Sequence, residues 1–167
     1  MDTYLLHQTP RSLAHDLITR TPLAENDRVL EPFKGEGAFY DAFPSFVQKE
    51  WCEATAGRDY TSFEGTTDWV ISNPPYRIDV GDKLINALWL LLSHFSTRAT
   101  KGIAFLVNDK CLSTLTPRRL ETLAERGFHM TNLIVCSVKK WRGRYYYLIF
   151  QKGVASPSFQ HLLTNYE

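Results

Sequence analysis

Apolar positions along the chain gather into short runs rich in β-branched and aromatic residues, and these alternate with segments whose apolar residues recur at helical spacing. That alternation predicts a parallel sheet covered by helices. Ser12 to Arg20 puts Leu13, Leu17 and Ile18 on one helical face, and Thr21-Pro22 breaks the helix. A strand follows at Arg28 to Leu30, ended by Glu31-Pro32, because the residue before a proline is restricted. Gly37 to Phe43 reads as a short helix stopped near Pro44. Glu50 to Glu53 reads as a second strand and Asp68 to Ser72 as another, with a loop or minor strand between them. Lys83 to Phe95 is apolar nearly all round, which predicts one helix buried against the sheet. Gly102 to Val107 and Asn132 to Val138 read as strands flanking a helix, Pro117 to Arg126, capped by Gly127. The last strand is Tyr145 to Gln151. Only Lys139 to Arg144 separates it from its neighbour, a spacing for a hairpin and not for a helical crossover.

The 167 residues suffice for one domain with a real core. A formal net charge of +1 means that any grip on a polyanion must come from a local patch, not from the overall field. Cys52, Cys111 and Cys136 show no metal-ligand spacing, which argues against a disulfide scaffold and a zinc site and for a reducing compartment. Met1 to Leu13 has no basic start followed by an apolar run. The apolar stretch Leu84 to Leu92 is too short to span a membrane. The expectation is a cytoplasmic protein with no metal and no membrane association.

Candidate chemistry starts where the first strand empties into Glu31-Pro32-Phe33-Lys34-Gly35-Glu36-Gly37. Two glycines there let backbone approach a ligand before a helix begins. The third glycine of a dinucleotide fingerprint is missing, since Tyr40 stands in its place, and the Gly-Lys-Ser/Thr of a phosphate loop is absent. A ligand without phosphates suits such a loop; taken alone, an ordinary turn does too. Glu53, at the end of the second strand, is placed to accept hydrogen bonds from ribose hydroxyls, or simply to sit solvated at the strand end. Asp59, in Gly57-Arg58-Asp59-Tyr60, is placed to accept from an adenine amino group, or simply to form a turn.

Asp68 to Ser72 runs directly into Asn73-Pro74-Pro75-Tyr76. Successive prolines at the end of a buried strand remove backbone donors and fix φ. The Pro74 carbonyl and the Asn73 side-chain oxygen then offer two acceptors side by side. An amino group carries two N–H bonds, so two acceptors can hold both and leave its lone pair free to attack a methyl group. Tyr76 offers a flat face to a planar substrate.

In order and spacing, the glycine loop, Glu53, Gly57-Arg58-Asp59-Tyr60 and Asn73-Pro74-Pro75-Tyr76 resemble amino-group methyltransferases, most closely the DNA adenine methyltransferases. Gln8-Thr9-Pro10 resembles that family's N-terminal cofactor motif, and Gly102 to Gln151 its later strands. The resemblance implies a Rossmann-like α/β fold, a mostly parallel sheet with an antiparallel last strand and helices on both faces. It implies S-adenosylmethionine held by Thr9, Pro10, Glu31, Phe33, Gly35, Gly37, Glu53, Asp59 and Asn73, with Asn73, Pro74, Pro75 and Tyr76 catalytic. Residues 1–154 would form the catalytic domain and 155–167 a polar tail. The large target-recognition domain common in that group has no counterpart, so a protein partner or a homo-oligomer is expected to supply recognition.

A nucleic acid, DNA favoured over RNA, needs cations, and the best candidates lie in Lys139-Lys140-Trp141-Arg142-Gly143-Arg144, with Arg77 just past the proline pair. A solvated hairpin tip is the plain alternative. His94 and His129 read as structural, and Arg118-Arg119 as surface charge. RNA adenine, a protein glutamine, and a subunit that works only with a partner stand as alternatives to a DNA adenine substrate.

Overall fold

A computed structural model describes residues 8–154. In chain order its elements are α1 (Arg11–Thr19), β1 (Arg28–Glu31), α2 (Ala38–Ala42), β2 (Gln48–Trp51), β3 (Thr67–Ser72), β4 (Arg77–Val80), β5 (Lys83–Asn86), α3 (Ala87–Phe95), β6 (Ala99–Asn108), α4 (Asp109–Leu112), α5 (Pro117–Glu125), β7 (Phe128–Cys136) and β8 (Tyr145–Lys152). Two single 3₁₀ turns, Ala54–Ala56 and Tyr60–Ser62, fill the stretch between β2 and β3. Six strands form one sheet in the order β2-β1-β3-β6-β8-β7, with β8 antiparallel to both of its neighbours and the other pairings parallel. The expected mixed sheet and its closing hairpin are both present.

The central strands β1, β3, β6 and β8 are buried on both faces, which is why they read as near-continuous apolar runs. Along β6, Ile103, Phe105 and Val107 face a core built with Leu88, Leu91, Leu92 and Phe95 of α3 and Leu120 and Leu123 of α5. The intervening Ala104 and Leu106 face the opposite core, with Ala14, Leu17 and Ile18 of α1 and Phe39 of α2. Trp69 of β3 lies across Gly102 of β6, its register partner, so closely that a Cβ at Gly102 would stand 2.3 Å from the indole ring.

Three expectations need correction. Lys83 to Phe95 is not one helix: Lys83–Asn86 is β5, paired antiparallel with β4 as a separate two-stranded ribbon, and the helix starts only at Ala87. The ribbon is closed by Gly81-Asp82, with Gly81 at φ 61, the geometry a two-residue hairpin turn needs. Asn86 then caps α3 by accepting from Leu88 N at 3.1 Å. The second strand lies further upstream than expected, at Gln48–Trp51, because Glu53 leaves the sheet to bridge with Arg58. The strand expected from Asn132 starts at Phe128 and absorbs an irregularity between Met130 and Asn132. The expected tail, residues 155–167, lies outside the described residues. Among those described, no helix is long and apolar enough to cross a membrane.

Candidate active site

The carboxyl ends of β1 and β3, adjacent parallel strands, open onto a cavity of about 870 Å³. This is the edge of a parallel sheet at which α/β folds bind ligands. One wall is the loop after β1. Lys34 N donates to the Cys52 carbonyl at 3.0 Å and Gly37 N to the Lys34 carbonyl at 2.8 Å, folding the loop into a tight turn. Gly35 and Gly37 sit at φ 50 and 84, which only glycine adopts without strain. Gly37 then serves as N-cap of α2.

Glu53 reaches across to this loop from beyond β2. Its Oε2 accepts from Gly35 N at 2.8 Å, while Oε1 accepts from Thr55 N and Thr55 Oγ1 at 3.2 and 2.9 Å. The carboxylate is thereby fixed at the cavity wall. Asp59 is oriented the same way, accepting from Thr61 N and Oγ1 at 2.9 and 2.6 Å. Phe33 and Tyr60 pair with ring centroids 5.3 Å apart and line the same end, giving an aromatic flank beside two carboxylates. Tyr60 rests on His94 and Phe95, and burial lowers the His94 imidazole below its usual range, in keeping with a packed structural histidine.

Asn73 to Tyr76 forms the opposite side. Asn73 Nδ2 donates to Thr9 Oγ1 at 3.1 Å, joining the N-terminal motif to the end of β3 and turning the amide oxygen the other way. Pro74 is buried, Pro75 exposed, and Tyr76 half-buried against both cores. The Tyr76 carbonyl accepts from Ala87 N at 2.9 Å, so α3 braces the turn from behind. Burial raises the Tyr76 phenol far above its ordinary value.

Glu31 is the most unusual group of the site. It is 2 % exposed, and its Oε2 has no hydrogen-bond partner among the described residues although it lies on the cavity wall. Burial raises its pKa well above the ordinary carboxylate range, against the pull of the Tyr40 backbone N–H and the Lys34 charge. A buried acceptor left unpaired is costly unless something else satisfies it, and a ligand ammonium would do so.

Thr9, Glu31, Phe33, Gly35, Glu53, Asp59, Asn73, Pro74, Pro75 and Tyr76 all line this one cavity. Pro10 and Gly37 do not: Pro10 accepts from Ala14 N as the N-cap of α1, and Gly37 is buried behind the loop. Sequence reasoning missed Ile78 and Asp79 of β4, which complete the wall beyond Tyr76. The candidate nucleic-acid residues stand outside the cavity. Lys139, Lys140, Arg142 and Arg144 are exposed, and none forms an ion pair with another described residue. Trp141 is half-buried and packs on Tyr145 at 4.5 Å between centroids, and Tyr145 packs on Tyr76 at 6.3 Å. The basic loop is thus tied to the proline motif through aromatic contacts. Arg77 is exposed at the start of β4, next to Tyr76.

Solved structures share this arrangement of strands and helices. A protein of Listeria monocytogenes assigned as a class I S-adenosylmethionine-dependent methyltransferase matches 97% of the chain with TM-score 0.73 at 15% identity. A modification subunit assigned to a type I restriction enzyme of Vibrio vulnificus matches 90% with TM-score 0.64 at 11% identity. A chain of the E. cuniculi Mtq2–Trm112 complex, responsible for methylating the eRF1 translation termination factor, matches 87% with TM-score 0.55 at 20% identity. The chain spans 66% of the Listeria protein, 45% of the Vibrio subunit and 97% of the E. cuniculi chain. No protein-family model and no curated protein sequence matches it. The likeness is one of fold, and the fold is the Rossmann-like fold of class I methyltransferases.

Proposed function

We propose that this chain is an S-adenosylmethionine-dependent methyltransferase acting on an amino nitrogen, the 6-amino group of adenine in a nucleic acid, with DNA favoured. The observation that carries the reading is the cavity that brings Asn73 to Tyr76 together with Glu31, Glu53 and the glycine loop. These residues fit the cofactor. The buried, unpaired Glu31 oxygen suits the ammonium of its methionine end, Glu53 suits ribose hydroxyls, and the Phe33–Tyr60 flank beside Asp59 suits an adenine ring. When bound, adenosylmethionine supplies an already activated methyl group, so the protein needs chiefly to orient the acceptor.

Orientation falls to Asn73, Pro74 and Tyr76. The Asn73 oxygen and the Pro74 carbonyl hold the two N–H bonds of the acceptor, and the bond from Asn73 Nδ2 to Thr9 Oγ1 anchors the Asn73 side chain. Tyr76 stacks on the base, a contact worth ~1–3 kcal/mol. In a duplex the adenine must first leave the stack, at a cost of a few kcal/mol, which phosphate contacts by Lys139, Lys140, Arg142, Arg144 and Arg77 would offset. Replacing Lys140, Arg142 and Arg144 together by alanine should flatten the salt dependence of nucleic-acid binding by about two to three units of log–log slope. An unchanged slope would remove the loop from the reading.

A protein glutamine is the second reading. Its carboxamide presents the same two N–H bonds, the Mtq2–Trm112 complex methylates a protein factor, and Asp79 puts a carboxylate on the wall beside the acceptor, where a polyanion gains nothing from it. The Vibrio neighbour is a subunit and the E. cuniculi chain works in a complex, so a partner that supplies target recognition belongs to the proposal. Transfer of labelled methyl to double-stranded DNA, single-stranded DNA, RNA and whole-cell protein, followed by digestion, tests it. Methyl-adenine in DNA is the expected product. Methyl-adenine in RNA alone would move the substrate, label in protein alone would promote glutamine, and no label with any substrate or partner would overturn the reading.

A further inference from the structure

One side of the glycine loop is held by a row of alternating cations and aromatic rings that the proposed chemistry does not use. Lys49 Nζ stands 4.3 Å from the centroid of Tyr40, Lys34 Nζ stands 5.1 Å from Tyr40 and 4.6 Å from Trp51, and the Arg58 guanidinium stands 4.6 Å from Trp51. Lys34 is the middle member and belongs to the loop itself. Tyr40 comes from α2 and Trp51 from β2, so one ammonium joins three elements. Its chain also folds back over the turn, since a Cβ placed on Gly37 would meet Lys34 Cε at 3.5 Å.

We infer that Lys34 is a positioning residue that pins the cofactor loop in its binding shape by sitting between the Tyr40 and Trp51 rings. The need for such a pin follows from the loop's composition. Gly35 and Gly37 give the segment freedom at two positions, and Gly35 has no neighbouring atom within 4 Å of where a Cβ would stand. Without an anchor, binding would have to stop that motion and lose affinity to the ordering. Backbone bonds hold the loop at Lys34 N and Gly37 N, and Glu53 holds it at Gly35 N. The ammonium between two rings ties the loop to Tyr40 and Trp51, which stand outside the cavity. Each such contact is favourable at a half-exposed site, and each ring also meets an outer cation, Tyr40 meeting Lys49 and Trp51 meeting Arg58.

The inference rests on the proposed cofactor site, and Lys34 also lines the cavity, so the test must separate a pin from a direct ligand contact. Tyr40 and Trp51 make that possible, because neither lines the cavity. Binding of adenosylmethionine and of S-adenosylhomocysteine is measured by calorimetry for Lys34→Met, Lys34→Arg, Trp51→Leu and the double variant Lys34→Met/Trp51→Leu. Lys34→Met and Trp51→Leu should each weaken binding about five- to tenfold, Lys34→Arg should stay within about twofold of the unaltered protein, and the double variant should be no weaker than either single one. Hydrogen exchange at Gly35 to Gly37, measured without cofactor, should speed up by a similar factor in Lys34→Met and not in Lys34→Arg. Loss of affinity in Lys34→Met with Trp51→Leu unaffected would overturn the pin in favour of direct contact. Unchanged exchange would overturn it outright. If the unaltered protein bound no adenosylmethionine, the functional reading would fall and the exchange measurement would still decide the pin.

Discussion

Asn73→Ala is expected to lower methyl transfer by about 10²–10³-fold while adenosylmethionine binds within a few-fold of its normal affinity. The asymmetry follows from position. The cofactor-facing carboxylates Glu53 and Asp59 are held by bonds that do not involve Asn73, and Glu31 is held by burial, whereas the acceptor amino group would lose one of its two hydrogen-bond acceptors. An interaction aimed at a reacting nitrogen matters most in the transition state, so the loss should fall on turnover and not on ground-state binding. The Thr9 hydroxyl also loses the donor it now accepts from, at 3.1 Å, but near the cavity water can replace it. Thr9→Val provides the control: the amide remains but loses the bond that anchors its nitrogen, so turnover should fall between the two. Single-turnover rates and calorimetry on the same preparations check the split. Equal loss of binding and rate in Asn73→Ala would make the residue structural and remove it from the chemistry.

Much of the site was legible because its pieces lie at the ends of strands, where local sequence and function coincide. Asn73-Pro74-Pro75-Tyr76 declares itself by two prolines that no buried strand can contain, and the glycine loop by following a strand directly. The contacts that connect these pieces were not legible. Thr9 and Asn73 are 64 positions apart, and only the path of α1 over the sheet brings them together. The setting of Lys34 is hidden for the same reason, since β2 must lie beside β1 before Trp51 can meet the loop. The β4–β5 ribbon was missed for a different cause. Leu84 and Ile85 run on to Ala87 and Leu88 with only Asn86 between, and periodicity cannot divide a strand from a helix across so short a gap. The turn signal Gly81-Asp82 marks the division, and a ribbon around it brings Ile78 and Asp79 to the cavity wall beside Tyr76. Glu31 is legible as a cofactor residue only through the resemblance, and the burial of its carboxyl is not legible at all, because it depends on the residues that the fold packs around it.

Gly102→Ala is expected to destabilise the fold by about 3 kcal/mol or more, although alanine normally suits a strand better than glycine. Gly102 has no positive φ, so the backbone would accept a side chain; the obstacle is Trp69. A Cβ would stand 2.3, 2.5 and 2.7 Å from Cζ3, Cη2 and Cε3 of the indole, three atoms of one rigid ring. The ring has no easy escape. Trp69 is 1 % exposed and packed among the buried residues on the α1 and α2 side, where density leaves no alternative rotamer without displacing neighbours. Its Nε1 has no hydrogen-bond partner among the described residues, so shape alone holds it in place. For a domain of this size, such a loss should lower the melting temperature by roughly 6–12 °C. Relief should come from the other side of the contact. Trp69→Leu costs stability by itself, but combining it with Gly102→Ala should cost less than the sum of the two, a coupling that a thermal-melt double-mutant cycle measures directly. Trp69 also lies four residues before Asn73, on the strand that leads into it, so Gly102→Ala protein that remains folded should show a shifted proline motif and reduced methyl transfer. Full stability in Gly102→Ala would mean that the indole moves aside freely, and that β3 is not held in register by this contact.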